Sequence, residues 1–328
     1  MINKSQNLNP DLFNKDVEQK ATREGFGSGL VLAGKADRNV VALCCDLTDS
    51  TKMNAFEKEF PNRFIQNGIQ EQSMNSVASG MAAMGKIPFT SSYAMFSPGR
   101  AWEQIRTTIA YNDTNVKIVG SHAGISVGPD GGTHQALEDI AIMRCIPNMR
   151  IVYPCDVLEA ERATQEIAKL KGPVYLRLAR EKTPIITTDK TQFKFGKGEV
   201  YFESEGKDIK IGIIASGPLL YNALMAAKKL DEDGVGVKVM NLATIKPLPE
   251  DDILKFAKGL KGVVSVEEHQ VMGGVGSALA ELFAQKNPLP MKFIGVHDQF
   301  GQSGEPNELI EHYGMGITHI EEAARKLL

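Results

Sequence analysis

The sequence predicts an α/β protein of two domains, each a mostly parallel sheet with helices on both faces. Three observations lead there. Short apolar runs such as VVALCCD and VYLRLA alternate with longer stretches of helical period, the pattern that a parallel sheet with crossover helices requires. The alternation stops over a polar stretch near residues 188–206 and then restarts. At 328 residues the chain also matches about two domains of roughly 150 residues each.

Taken in order, residues 1–15 are polar and Asn-rich and are expected to form a mobile arm. The first domain, 16–187, opens with a helix to residue 36, followed by the strand VVALCCDL. Helices are predicted over 71–84 and 100–111, and strands at VKIVGSH and RIVYPCD. Asp156 is placed to cap the next helix, with Glu159 completing a capping box and Gly172-Pro173 ending it. VYLRLAR closes the domain. Residues 188–206 are expected to be a linker with a short ribbon. The second, independent domain, 207–328, repeats the alternation through IKIGIIAS, VGVKVMNL, GVVSVEE and MKFIGV. No internal repeat or low-complexity tract interrupts it.

Composition narrows the function classes. Hydrophobic residues at 42% and charged residues at 23% suit a globular protein with a large core. A net charge of −3 without any Lys/Arg run argues against nucleic acid. The four cysteines, Cys44, Cys45, Cys145 and Cys155, form no C-x-x-C pair and are expected to be buried free thiols. The polar N-terminus and the lack of a long apolar stretch predict a cytoplasmic protein with no membrane contact. No Walker loop, H-E-x-x-H or complete G-x-G-x-x-G occurs. Gly274-Val275-Gly276 is expected to be a tight strand-to-helix turn. A G-D-G followed by Asn, the diphosphate and magnesium signature of thiamine enzymes, is also missing.

Polar chemistry concentrates between Asn67 and Gln135. Glu71 opens a helix rich in small residues, where an acid also complements the helix dipole. GSHAGISVGPDGGTHQ then sets His122, Asp130 and His134 in a Gly-rich loop after a strand. Such loops lie at the carboxyl ends of parallel strands, where open α/β sheets bind ligands.

These segments resemble a known family. N-G-I-Q-E-Q, T-S-S-Y-A-M-F, H-A-G-I-S-V-G-P-D-G-G-T-H-Q and M-R-C-I-P-N-M-R-I-V-Y-P-C-D are similar to the pyrimidine-binding domain of transketolases. V-E-E-H-Q-V-M-G-G-V-G-S-A and H-D-Q-F-G-Q-S-G are similar to their C-terminal domain. The resemblance runs in order from about Lys20 to the end. The diphosphate-binding domain is what it lacks, as in transketolases split into two chains, which the run G-R-A-W-E-Q-I-R also resembles.

The resemblance implies a thiamine-diphosphate-dependent transferase, moving a two-carbon ketol unit between sugar phosphates in the pentose phosphate pathway. It implies a partner subunit that holds the diphosphate and Mg2+, and an α2β2 heterotetramer. Glu71 would bond the cofactor's pyrimidine ring, Tyr93 and Phe96 would pack on that ring, and Asp46 and Leu47 would line its pocket. His134 and Asp130 would meet the sugar near the reacting carbons. Arg23, Ser50, His122 and Arg180 would form the phosphate group's binding site. Ser97-Pro98-Gly99 occupies the stretch where the family carries a further tyrosine, so the resemblance leaves the detailed packing on the ring open. The second domain, with His269, His297, His312 and His319, is expected to supply packing and subunit contact. The same architecture serves deoxyxylulose-phosphate synthases and the beta subunits of 2-oxoacid dehydrogenases. Ser50 and His122 agree better with transketolases than the former, and Thr133-His134-Gln135 departs from the H-S-Q of the latter. A non-catalytic binding subunit is the alternative from another class, against which a retained Glu71 speaks.

Overall fold

The computed structural model describes residues 1–328. In the first domain β1 (Gln19–Ala21) leads into α1 (Thr22–Ala36), β2 (Val40–Cys44), α2 (Asn54–Glu59), β3 (Phe64–Gln66), α3 (Glu71–Ala83) and β4 (Ile87–Tyr93). There follow α4 (Trp102–Gln104), continued by a π-helical turn over Ile105–Ala110, then β5 (Lys117–Ser121), α5 (Asp139–Arg144), β6 (Arg150–Val152), α6 (Val157–Lys169), β7 (Val174–Arg177) and β8 (Lys182–Pro184). The second domain comprises β9 (Glu199–Glu203), β10 (Ile209–Ala215), α7 (Leu220–Glu232), β11 (Gly236–Asn241), β12 (Thr244–Lys246), α8 (Glu250–Ala257), β13 (Gly262–Gln270), α9 (Val275–Lys286), β14 (Met291–Val296), α10 (Pro306–His312) and α11 (Ile317–Arg325).

A seven-stranded sheet runs β12-β6-β7-β5-β4-β2-β3, and a five-stranded sheet runs β14-β13-β10-β11-β9. All pairings within them are parallel except β12 on β6 and β9 on β11, which sit at the edges. The buried strands β2, β5 and β7 are covered on both faces, as a sheet with helices on both sides demands. The two domains are not the independent units the sequence suggested. β12 belongs to the second domain in sequence but extends the first domain's sheet, so the two sheets share a strand crossover.

The N-terminal arm is also corrected. Leu12 is fully buried and Leu8 nearly so, both in the second domain's core. Asn3 Nδ2 donates to the Val200 carbonyl at 2.9 Å, and Asn9 Nδ2 to the Ile185 carbonyl at 2.8 Å. The asparagines that read as solvated chain bond backbone here, a role their short amides take readily. The stretch 188–206, expected as a linker with a short ribbon, contains β9, which pairs antiparallel with β11 and whose Tyr201 and Phe202 are buried in that same core.

Local rules hold elsewhere. Asp156 caps α6, accepting the Glu159 N–H at 2.8 Å. Glu159 reaches one residue further back than a capping box predicts, to the Cys155 N–H at 2.7 Å. Cys44, Cys45 and Cys155 are buried free thiols, but Cys145, at the outward end of α5, is exposed. A fully buried ion pair joins the layers: Arg177 Nε donates to Asp139 Oδ2 at 2.8 Å, and Tyr175 OH to the same oxygen at 2.6 Å. Burial disfavours the Asp139 carboxylate, but Arg177 and these bonds hold its pKa below the usual range. No helix is long and apolar enough to cross a membrane.

Candidate active site

The site gathers at the carboxyl ends of β2, β4 and β5. Glu71 is the first residue of α3 and is 1% exposed. Its Oε1 accepts from Ser92 Oγ at 2.9 Å, and its Oε2 from Arg100 Nη1 at 3.1 Å. Ser92 comes from β4 and Arg100 from the segment before α4, so three elements fix one carboxyl. Arg100 also lies over the Phe96 ring, 5.0 Å from its centroid. It therefore bridges the acid and an aromatic shelf.

That shelf begins at Tyr93, the last residue of β4. Tyr93 stacks on His122 with centroids 3.9 Å apart and lies 6.0 Å from Phe96, near parallel. His134 meets Phe96 edge-on at 5.5 Å and Tyr93 at 6.2 Å. The structure thus brings Tyr93, Phe96, His122 and His134 into one cluster, from two segments.

His122 follows β5 with φ of 56° and is buried. Its Nδ1 pairs with Ser121 Oγ at 2.9 Å. Burial, and then the charges of Arg23 and Arg180, push its pKa down to about 3. The imidazole is therefore neutral at ordinary pH, a hydrogen-bonding group rather than a cation. Arg23 Nη1 donates to the Ser50 carbonyl at 2.7 Å, and its Nε to the Arg180 carbonyl at 3.0 Å. Burial and the neighbouring Arg180 lower the Arg23 pKa. Arg180 lies beyond the end of β7, donates to the Val127 carbonyl at 2.6 Å, and pairs with Glu181 at 3.1 Å. Both guanidinium groups border a cleft of about 580 Å³. Glu24, Glu181, Glu268 and Glu305 line the same cleft, so its charge is mixed.

Asp46 and Leu47 sit in the loop after β2. Asp46 is exposed, has φ of 59°, and donates its N–H to Gln66 Oε1 at 2.6 Å. Leu47 is half-buried against the first domain's core. Asp130 is exposed at the end of the 3-10 turn Ile125–Asp130. The Gly274 turn is internal: Glu267 accepts the Val275 and Gly276 N–H groups at 2.7 and 2.8 Å, which fills the place a phosphate would take.

Residues 18–185 match the transketolase pyrimidine-binding domain, and residues 198–320 match the transketolase C-terminal domain. The chain belongs to the transketolase family. Family membership carries thiamine diphosphate dependence and makes the chain a subunit of a transferase. It is 45% identical over 300 residues to a Methanocaldococcus jannaschii protein named as a putative transketolase C-terminal section, covering 90% of this chain and 92% of that one. It is 37% identical to the 6-deoxy-6-sulfo-D-fructose transketolase subunit SqwH of a Clostridium species, over 96% of this chain and 97% of the relative. A solved split-gene transketolase, described as an inactive beta4 tetramer, superposes with a TM-score of 0.87 at 40% identity, covering 94% of this chain and 98% of the other.

For this transketolase subunit, residue types fit the pyrimidine half of the cofactor. A buried carboxyl, held by Ser92 and Arg100, lies beside an aromatic shelf. Sequence reasoning missed Ser92 and Arg100. Arg100 belongs to the G-R-A-W-E-Q-I-R run, but only the fold shows that it meets Glu71.

Proposed function

We propose that this subunit provides the pyrimidine side of a transketolase active site whose diphosphate and Mg2+ side comes from a partner chain. Working together in a cytoplasmic α2β2 heterotetramer, the two move a two-carbon ketol unit between sugar phosphates of the pentose phosphate pathway. Thiamine diphosphate, when bound, supplies the nucleophilic carbon and electron sink for cutting and forming the bond next to a carbonyl. The observation that carries this reading is Glu71, a carboxyl buried at the start of α3 and linked through Arg100 to the Phe96 shelf.

In this reading Glu71 bonds the pyrimidine nitrogen, Tyr93 and Phe96 support the ring face, and Asp46 and Leu47 line the pocket. His134 contacts the donor's carbonyl region. Asp130 accepts from the sugar hydroxyl next to the reacting carbon. Arg23 and Arg180 supply positive charge for the phosphate, with Ser50 and neutral His122 as hydrogen-bonding partners. A substrate without those hydroxyls would leave polar groups unpaired, at about 1–3 kcal/mol each.

The test reconstitutes the chain with a partner carrying the G-D-G…N domain. One tube holds xylulose 5-phosphate and ribose 5-phosphate; another holds pyruvate and glyceraldehyde 3-phosphate. Sedoheptulose 7-phosphate in the first, without carbon dioxide, is the expected result. Carbon dioxide from the second with silence in the first overturns the reading. Because relatives are named for 6-deoxy-6-sulfo-D-fructose and for apulose 4-phosphate, those two donors complete the panel.

A further inference from the structure

Strand β13 carries two carboxylates, Glu267 and Glu268, into the interior; neither has a role in the reading above, although Glu268 borders the same cleft as Arg23 and Arg180. Glu267 binds the amides that open α9. Successive side chains of a strand leave on opposite faces, and Glu268 points into the first domain. It is 2% exposed, and its Oε1 accepts the Ser126 N–H at 2.6 Å. Ser126 lies inside the Gly-rich loop, between His122 and Asp130. Gly124, with φ of 93°, makes room for this contact, because a Cβ there would run into the Glu268 carboxyl.

The segment 301–306 grips the same loop from its other end. Gln135 Nε2 donates to the Gln302 carbonyl at 3.0 Å and to the Ile125 carbonyl at 2.9 Å. A Cβ on Gly132 would stand 2.6 Å from the Gly301 carbonyl oxygen, and one on Gly131 2.6 Å from Ser303 Oγ. Tyr313 OH donates to the Phe300 carbonyl at 2.9 Å, tying the segment to the end of α10. Arg177 Nη2 completes the ring of contacts, donating to the carbonyls of Glu268 at 2.9 Å and Ala136 at 3.2 Å.

We propose that Glu268 and the segment 301–306 are positioning elements for the substrate loop, so that the C-terminal domain sets where Asp130 and His134 stand. Asp130 is exposed, and the His134 side chain hydrogen-bonds only its neighbour Thr133. The loop backbone therefore decides where Asp130 stands, and from where His134 reaches the Tyr93 and Phe96 rings. Burial raises the Glu268 pKa, a cost the fold carries for this contact with the loop.

This inference rests on the roles given to Asp130 and His134 above, and the experiment separates the two. It uses the chain assembled with its diphosphate-binding partner. Amide hydrogen exchange over 124–134 reads the clamp without substrate, and steady-state kinetics read its consequence. In Glu268→Ala the Ser126 amide should exchange at least about tenfold faster, as loss of a bond to a charged acceptor implies. KM for ribose 5-phosphate should rise about tenfold, while kcat stays within about threefold and thiamine diphosphate affinity is unchanged. Glu268→Gln keeps the acceptor and should restore both readings to within about threefold. Should Glu268→Ala fail to assemble, Gly301→Ala, whose Cβ would run into the Gln135 carboxamide, should speed exchange of the Gly131 and His134 amides at the other end of the loop and raise KM in the same way. Unchanged exchange overturns the clamp. A joint fall of kcat, cofactor affinity and thermal midpoint, unrescued by Gln, overturns it too and assigns Glu268 a general packing role. Faster exchange with KM unmoved, while Asp130→Ala raises KM, overturns the positioning claim. KM unmoved in both variants instead refutes the role given to Asp130.

Discussion

Glu71 shows how much one buried carboxyl depends on its neighbours. Its two acceptor oxygens are divided between a buried hydroxyl and a half-exposed guanidinium. Removing the carboxyl leaves Ser92 without a partner but lets Arg100 turn to water, so the structural cost stays small. The chemical cost does not. Glu71→Ala in the reconstituted enzyme should lower kcat by about two to four orders of magnitude, the usual range for losing acid–base assistance. The circular dichroism spectrum should be unchanged. Activity within about tenfold of the parent would contradict the role given to Glu71.

Helices α1 and α6 belong to a different kind of contact. Gly25 and Gly29, one turn apart on α1, touch the α6 backbone: a Cβ on Gly25 would run into the Val157 carbonyl, and one on Gly29 would lie 2.6 Å from the Glu161 carbonyl oxygen. Backbone cannot give way as a side chain can. Gly25→Ala gains up to about 1 kcal/mol of helix propensity but forces the helices apart, at about 1–3 kcal/mol. The net expectation is a destabilisation of up to about 2 kcal/mol, seen as a lower urea midpoint. Gly80, on the exposed face of α3, has open space where a methyl group would stand, with nothing within 4 Å. Gly80→Ala should therefore move the midpoint up, by about 0.5–1 kcal/mol. Equal shifts in the two variants would show that propensity, not close approach, governs Gly25.

Across the whole molecule, the two domains are held as one body. β12 extends the other domain's sheet, residues 1–12 lie against the second domain's core, and the Arg177–Asp139 pair reaches β13 through Glu268. What the molecule offers a cofactor is nonetheless one-sided, an acid and an aromatic shelf without a diphosphate motif. The chain alone should therefore bind thiamine diphosphate and magnesium more weakly than about 1 μM, a threshold near −8 kcal/mol. Isothermal titration of the purified chain checks this. Submicromolar binding without a partner would show that the split-site reading is wrong.

Much of this was legible in the sequence because it is encoded locally. Strand and helix periods, the Asp156 cap and the Gly-rich loop each depend on residues a few positions apart, and the family's motifs are contiguous runs met in order. That was enough for the fold class, the family and the clustering of His122 with His134. Only the tertiary structure decided who meets whom across the chain. Ser92 and Arg100 lie 21 and 29 residues from the Glu71 they bond, and Ser126 lies 142 residues from Glu268. The arm read as mobile because its asparagines are polar, yet two leucines four residues apart found a core on the second domain. Periodicity names the face a side chain leaves from; packing and hydrogen-bond satisfaction over the whole chain decide what it finds there.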